Sequence, residues 1–228
     1  MWPSDPDSLI ALQVSLAAAS MPGFTLDPVT SIGACYVCFA RGGTGAGAAG
    51  DPAWAAAATT RRGRRQAAVV VAGEAGAPYL PGLLALREGA LLKAAVRALP
   101  YPPPVLLVDG TGRDHPRRAG LALHLGAALG LPTVGVTHRP LLAAGEWPAD
   151  ERGSASPLLL DGDLVGYWLR TRPGTRPLAV HAAWGTDPDL AVEVVLAATR
   201  RPRTPEPLRV ARRAARRARA AAEAGERR

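Results

Sequence analysis

Apolar and polar positions along the chain fall into short apolar runs separated by segments of helical spacing, and the clearest such unit covers residues 105–139. Residues 104–108 form an apolar run of buried-strand length, which breaks at Asp109-Gly110-Thr111-Gly112. A helical pattern follows from about Pro116 to Leu129, with Leu121, Leu125, Ala128 and Leu129 on one face, and Gly130 stops it. Residues 132–136 then read as a second buried strand. Strand, helix and strand of this length predict a βαβ crossover with parallel strands. Asp109 is thereby placed just past the carboxyl end of a parallel strand, where open α/β sheets hold their ligands.

Upstream, Leu9, Leu12, Leu16 and Ala19 mark an amphipathic helix over residues 9–19, and residues 31–40 read as a strand. A Gly/Ala-rich loop over 42–50 separates that strand from two more, 54–60 and 66–73, joined by the basic turn Arg61-Arg62-Gly63-Arg64-Arg65. Three strands with short connections predict an antiparallel meander. The pattern predicts a helix from Pro81 to Leu99, with Leu83, Leu84, Leu91 and Val96 toward the sheet and Glu88 two turns in. Downstream, residues 158–160 and 164–170 form a hairpin around Asp161-Gly162-Asp163, and 177–181 is a strand. Asp187 caps a helix running to about Thr199.

Composition narrows the class. A chain of 228 residues, 48% apolar, is enough for one α/β domain with a full core. No apolar run approaches the length of a membrane helix, and the first residues lack the layout of a secretory signal, so the expected compartment is the cytoplasm. Cys35 and Cys38 are spaced as in C-x-x-C, but within a strand they face opposite sides and no second pair completes a zinc site. The net charge of +8 is local: residues 200–228 hold eleven Arg and three Glu, while the preceding 199 carry sixteen basic and sixteen acidic side chains. From Glu206 to Gly225 the arginines fall on one helical face, opposite Leu208, Val210, Ala211, Ala214, Ala215 and Ala218. Such a helix either docks and offers arginines to phosphates or stands solvated.

Asp109, two glycines and His115-Pro116-Arg117-Arg118 suggest a site for a cation and a phosphate. The blocks PYLPGLLALRE (78–88), DGTGRDHPRRAGLALHLG (109–126) and LPTVGV (131–136) resemble the endonuclease V family, nucleases that nick nucleic acid near deaminated bases. GYWLRTRPGTRPLAV (166–180) and TRRPRTPEPLRVA (199–211) resemble its later segments.

The resemblance implies a single α/β domain with a ribonuclease H-like mixed sheet and flanking helices, over residues 1–203, followed by a basic helix or tail over 204–228. It implies Mg²⁺, or Mn²⁺, held by clustered carboxylates, of which Glu88 and Asp109 match two. Tyr36 stands where the family has its first-strand Asp, His138 where it has a Lys and Trp184 where it has a His. A non-family acid, Asp114 or Glu74, is a candidate to complete the site. Pro78-Tyr79-Leu80-Pro81 matches the family's wedge motif, with Tyr79 as the wedge, and Gly82, Leu84, Gly110, Gly112, Leu121 and Gly135 match the backbone-rich pocket that receives the flipped base. His115 is expected in a proton or phosphate role; Arg117 and Arg118 either share it or only stabilise their neighbours. The expected function is cleavage of DNA or RNA near inosine by a monomer whose metal is weakly bound and whose site is impaired or rearranged. The alternatives are a catalytically inactive nucleic-acid-binding relative and a protein-interaction scaffold.

Overall fold

The computed structural model describes residues 2–19, 23–27, 30–42 and 46–225. Part of the expected 42–50 loop (residues 43–45) and the last three residues of the basic segment lie outside the described residues.

Elements run in the order α1 (Pro6–Ala18), β1 (Ile32–Phe39), β2 (Pro52–Arg61), β3 (Arg64–Glu74), one turn of π-helix (Ala85–Gly89), α2 (Ala90–Arg97), β4 (Val105–Val108), α3 (Leu121–Leu129), β5 (Thr133–Thr137), β6 (Ala155–Leu160), β7 (Asp163–Leu169), β8 (Leu178–Ala182), α4 (Pro188–Ala198) and α5 (Glu206–Gly225). The strands form one mixed sheet in the order β3-β2-β1-β4-β5-β8-β7-β6. β1, β4 and β5 are parallel to one another at its centre. The flanking pairs are antiparallel, so the predicted meander, crossover and hairpin are all present.

Strand alternation sends residues to two cores. One face packs Cys35, Leu106 and Val108 against α2, α3 and Leu9 of α1. The other packs Ala34, Leu107 and Val134 against α4 and Leu208 of α5. Further along that second face, Cys38, Trp54, Ala56 and Ala58 meet Val210, Ala211 and Ala215 of α5. Small residues on both sides let this helix lie close to the sheet, with Leu208, Val210, Ala211 and Ala215 buried. The two cysteines face opposite sides, as the strand period requires, and both are free thiols.

Two helix starts differ from the sequence pattern. The segment from Pro81 is a turn, because Gly82 takes φ +75, which no helix continues; helical structure begins only at Leu84–Ala85. Residues 116–120 are likewise a turn, with Arg118 at φ +54, and α3 starts after Gly120. In both places the chain gives up helical hydrogen bonds to shape the mouth of the sheet. Among the described residues no helix is long and apolar enough to cross a membrane.

Candidate functional site

Asp109 follows β4 directly. The pairing of Cys35 with Val108 across β1 and β4 continues by one residue to set Tyr36 beside Asp109, on the face covered by α5. Glu88 reaches the same mouth from the π-turn, a distortion that re-aims side chains and recurs at functional sites. Burial, and then the negative charge of Asp109, push the Glu88 carboxyl up to about 8, with Arg87 acting in the opposite direction. Glu88 and Asp109 are therefore close enough to feel one another. Arg87 itself is committed elsewhere: it pairs with Asp51 at 2.7 Å and donates to the carbonyls of Ala48 and Ala77.

Beside Asp109 opens a cavity of about 270 Å³. Tyr79, Leu80, Gly82, Leu84, Gly110 and Leu121 line it together with Asp109 and His115. Tyr79 and Leu80 stand at its rim, 45% and 41% exposed. Gly135 lies beneath: a Cβ there would come within 2.5 Å of the Gly110 carbonyl oxygen. Gly112 is packed in the same way against the Ala182 carbonyl.

A hydrogen-bond network around the Gly82 carbonyl fixes the wall. The Arg117 backbone N–H donates to His115 Nδ1 at 3.2 Å, which leaves Nε2–H to donate to the Gly82 carbonyl at 3.1 Å. Burial lowers the His115 pKa, consistent with this neutral tautomer. Arg117 and Gln13 also donate to the Gly82 carbonyl, and Arg117 Nε binds Gln13 Oε1 at 2.6 Å. Arg118 turns away, to the Leu160 carbonyl, Asp161 and Asp163. Both arginines of the HPRR run are thus bound to protein groups.

Neither candidate for a third metal ligand reaches the mouth. Asp114 is fully buried, and its carboxylate accepts the backbone N–H groups of Leu141, Leu142 and Ala143 at 2.6–2.8 Å. It holds the loop that closes the cavity rim, with His181 Nδ1 3.7 Å away. Burial pushes that imidazole down to about 4 despite the carboxylate, so it stays neutral at ordinary pH. Glu74 ends β3, the edge strand, and is exposed. Trp184 sits beside Thr133 at the amino end of β5, away from the carboxyl end of β4.

The residues that do meet Asp109 were not singled out by the sequence. Arg212 of α5 donates from Nη2 to Asp109 Oδ2 at 3.0 Å, and its guanidinium lies 5.1 Å from the centre of the Tyr36 ring. Arg216, one turn on, lies 5.8 Å from the same ring, with Nη2 3.5 Å from the Tyr36 hydroxyl. His138 is nearby: its Nδ1 meets Arg203 Nη1 at 3.0 Å, and partial burial, Arg203 and Arg212 lower its pKa against the pull of Asp109. The helical wheel showed a basic face; which arginine would land on Asp109 depends on how α5 docks. Among the described residues no three His, Cys, Asp or Glu side chains are placed to hold a metal ion. With one of its two carboxylates ion-paired to an arginine and a phenol beside it, the site does not fit a divalent cation as it stands.

Against known proteins, the Endonuclease V family model matches residues 30–213. An Endonuclease V of Roseiflexus castenholzii is 34% identical over 212 residues, 92% of this chain and 91% of that one. The crystal structure of an Endonuclease V from Streptomyces avermitilis superposes with a TM-score of 0.87 at 36% identity, covering 97% and 96% of the two chains. That of Ciona intestinalis Endonuclease V, in complex with a DNA containing an inosine followed by a ribo-adenosine, shares the fold with a TM-score of 0.77 at 21% identity, covering 93% and 98%. The matched stretch spans 60% and 57% of the length of two Streptomyces relatives.

Proposed function

This chain belongs to the endonuclease V family, and from that premise we propose that it binds DNA or RNA strands containing inosine and cleaves them slowly or not at all. The observation that carries the reading is the cavity beside Asp109, bounded by Gly82, Gly110 and Leu121, with Tyr79 exposed at its rim. A flipped base needs such a slot, and an aromatic ring at the rim can fill the gap it leaves. Of the six positions matched to the family pocket, Gly82, Leu84, Gly110 and Leu121 line it, Gly135 lies under Gly110 and Gly112 packs against Ala182. His115 acts here by orienting Gly82, and His138 by facing the backbone that passes Asp109.

Weak catalysis follows from the neighbouring corner. Glu88 and Asp109 are the residues matched to the family's Mg²⁺ or Mn²⁺ ligands, and as arranged here they do not fit a divalent ion, since Tyr36 adds no charge and Arg212 holds Asp109. Affinity for a strand with one inosine should exceed that for the same strand with adenosine at least tenfold, and Tyr79→Ala should erase the difference. Equal affinities would overturn base reading and leave the scaffold alternative. Brisk Mg²⁺-dependent nicking, abolished by Asp109→Ala, would overturn the impaired site.

A further inference from the structure

Five arginines of α5, Arg209, Arg212, Arg213, Arg216 and Arg217, line an open groove of about 530 Å³. Arg212 also reaches Asp109, which lines the base cavity, so it stands where the two spaces meet. Its surroundings fix the guanidinium plane. Asp109 takes Nη2 at 3.0 Å and the Tyr36 ring lies 5.1 Å from its centre. The same ring lies 5.8 Å from the Arg216 guanidinium. Tyr36 thus serves as a shelf for two cations through its π-face. A guanidinium presents five N–H donors, and Asp109 engages one group of them. Arg212 Nε is buried and has no hydrogen-bond partner among the described residues.

The charge arithmetic points the same way. Asp109 supplies the ionised carboxylate at this corner, since burial and Asp109 keep Glu88 largely protonated near neutral pH, and Arg212 and Arg216 supply two guanidiniums. The corner is positive before any metal enters, and a divalent ion beside Asp109 would face the Arg212 cation at close range. An anion meets the opposite situation: a guanidinium already held by Asp109 and partly exposed, with a second cation one helical turn away.

We propose that Arg212 is the resident cation of this site: its guanidinium, held by Asp109 and backed by Tyr36, receives a backbone phosphate of the strand without a divalent metal ion. The identity of that strand rests on the base-reading function above; the role of Arg212 does not. The test is fluorescence anisotropy with an inosine-bearing and an adenosine-bearing oligonucleotide, in EDTA and in Mg²⁺. It uses the full chain, Arg212→Met, which keeps an apolar stem over Tyr36, and Arg212→Lys. Wild-type affinity in EDTA should lie within twofold of that in Mg²⁺. Arg212→Met should bind at least tenfold more weakly in EDTA and regain part of the loss when Mg²⁺ is added, because Asp109 is then free. Arg212→Lys should recover part of the affinity in EDTA. If inosine and adenosine strands bind alike but both lose tenfold on Arg212→Met, base reading fails and the resident cation stands. Wild-type binding that requires Mg²⁺, or Arg212→Met binding as tightly as wild type in EDTA, overturns the proposal. The wild-type comparison needs no variant to fold.

Discussion

The cavity and the charged corner share Asp109 yet are built in opposite ways. The cavity is made of loops close to the strand ends, fixed by hydrogen bonds to backbone: His115, Arg117 and Gln13 all converge on the Gly82 carbonyl. The corner is made of one phenol and three ionisable groups from four distant segments: Tyr36 from β1, Glu88 from the π-turn, Asp109 after β4 and Arg212 from α5. Backbone-held shape tolerates little change in geometry and gives selectivity. An ion-paired corner tolerates exchange of partners, because any cation of suitable reach can answer the same carboxylates. A relative can therefore keep its pocket while its ionic site changes character.

The strongest way to break this contrast is at Asp114. Asp114→Ala takes the carboxylate from three N–H groups of the 141–143 loop, of which that of Ala143 is buried. The loss should be about 3–5 kcal/mol by chemical denaturation, the scale of removing one partner from a buried charged network. A loss under about 1 kcal/mol would mean the rim does not depend on that carboxylate.

Truncation after Arg203 comes next. On charge alone it should merely weaken nucleic-acid binding and flatten its salt dependence. In the fold it also strips Leu208, Val210, Ala211 and Ala215 from the sheet, so stability should fall by at least about 3 kcal/mol as buried apolar area is lost. A thermal melt unchanged by truncation would show that α5 is an appendage and detach the corner from the fold.

Gly135→Ala separates the two regions. Its Cβ would press on the Gly110 carbonyl at 2.5 Å. An overpacking cost of about 1–2 kcal/mol and reduced inosine preference are expected, with affinity for an undamaged strand retained. Equal losses for both strands would deny the cavity its separate role.

Tyr36→Asp should shift the corner toward a metal site, raising Mg²⁺ affinity by roughly tenfold in calorimetry, since three carboxylates would then face two guanidiniums. Cleavage should return only in part, because Arg212 remains on Asp109. No change in Mg²⁺ affinity would show that the tyrosine is not what keeps the ion out.

The smallest effect should come from Arg213→Ala with Arg217→Ala, both exposed on the groove. Stability should stay within about 0.5 kcal/mol of wild type, while the slope of log affinity against log salt falls by about 2. An unaltered slope would remove these two from the phosphate path.

Contiguous signals carried most of the architecture. Apolar runs around 104–108 and 132–136, the capping Asp187 and the hairpin at Asp161-Gly162 were readable because strand period, caps and turns are properties of neighbouring residues. Most residues of the cavity likewise sit in two blocks, 79–85 and 109–121, while Gln13 and residues 137–141 join them only through the fold. The early helix starts at Pro81 and Pro116 were misread because Gly82 and Arg118 take left-handed backbone, a choice enforced by bonds from Gln13, His115, Asp161 and Asp163 rather than by local propensity.

The sequence by itself determined the strands, their likeness to a family and the presence of a basic helical face. Tertiary structure alone decided that Asp114 belongs to a loop and not to a metal, that Trp184 lies beside Thr133, and that Arg212 lands on Asp109. The physical reason is separation along the chain. Arg212 and Asp109 are 103 residues apart. Their meeting is set by the rotation of α5 on a bed of alanines, so one-residue differences in helix docking choose the partner, and no local pattern encodes that choice.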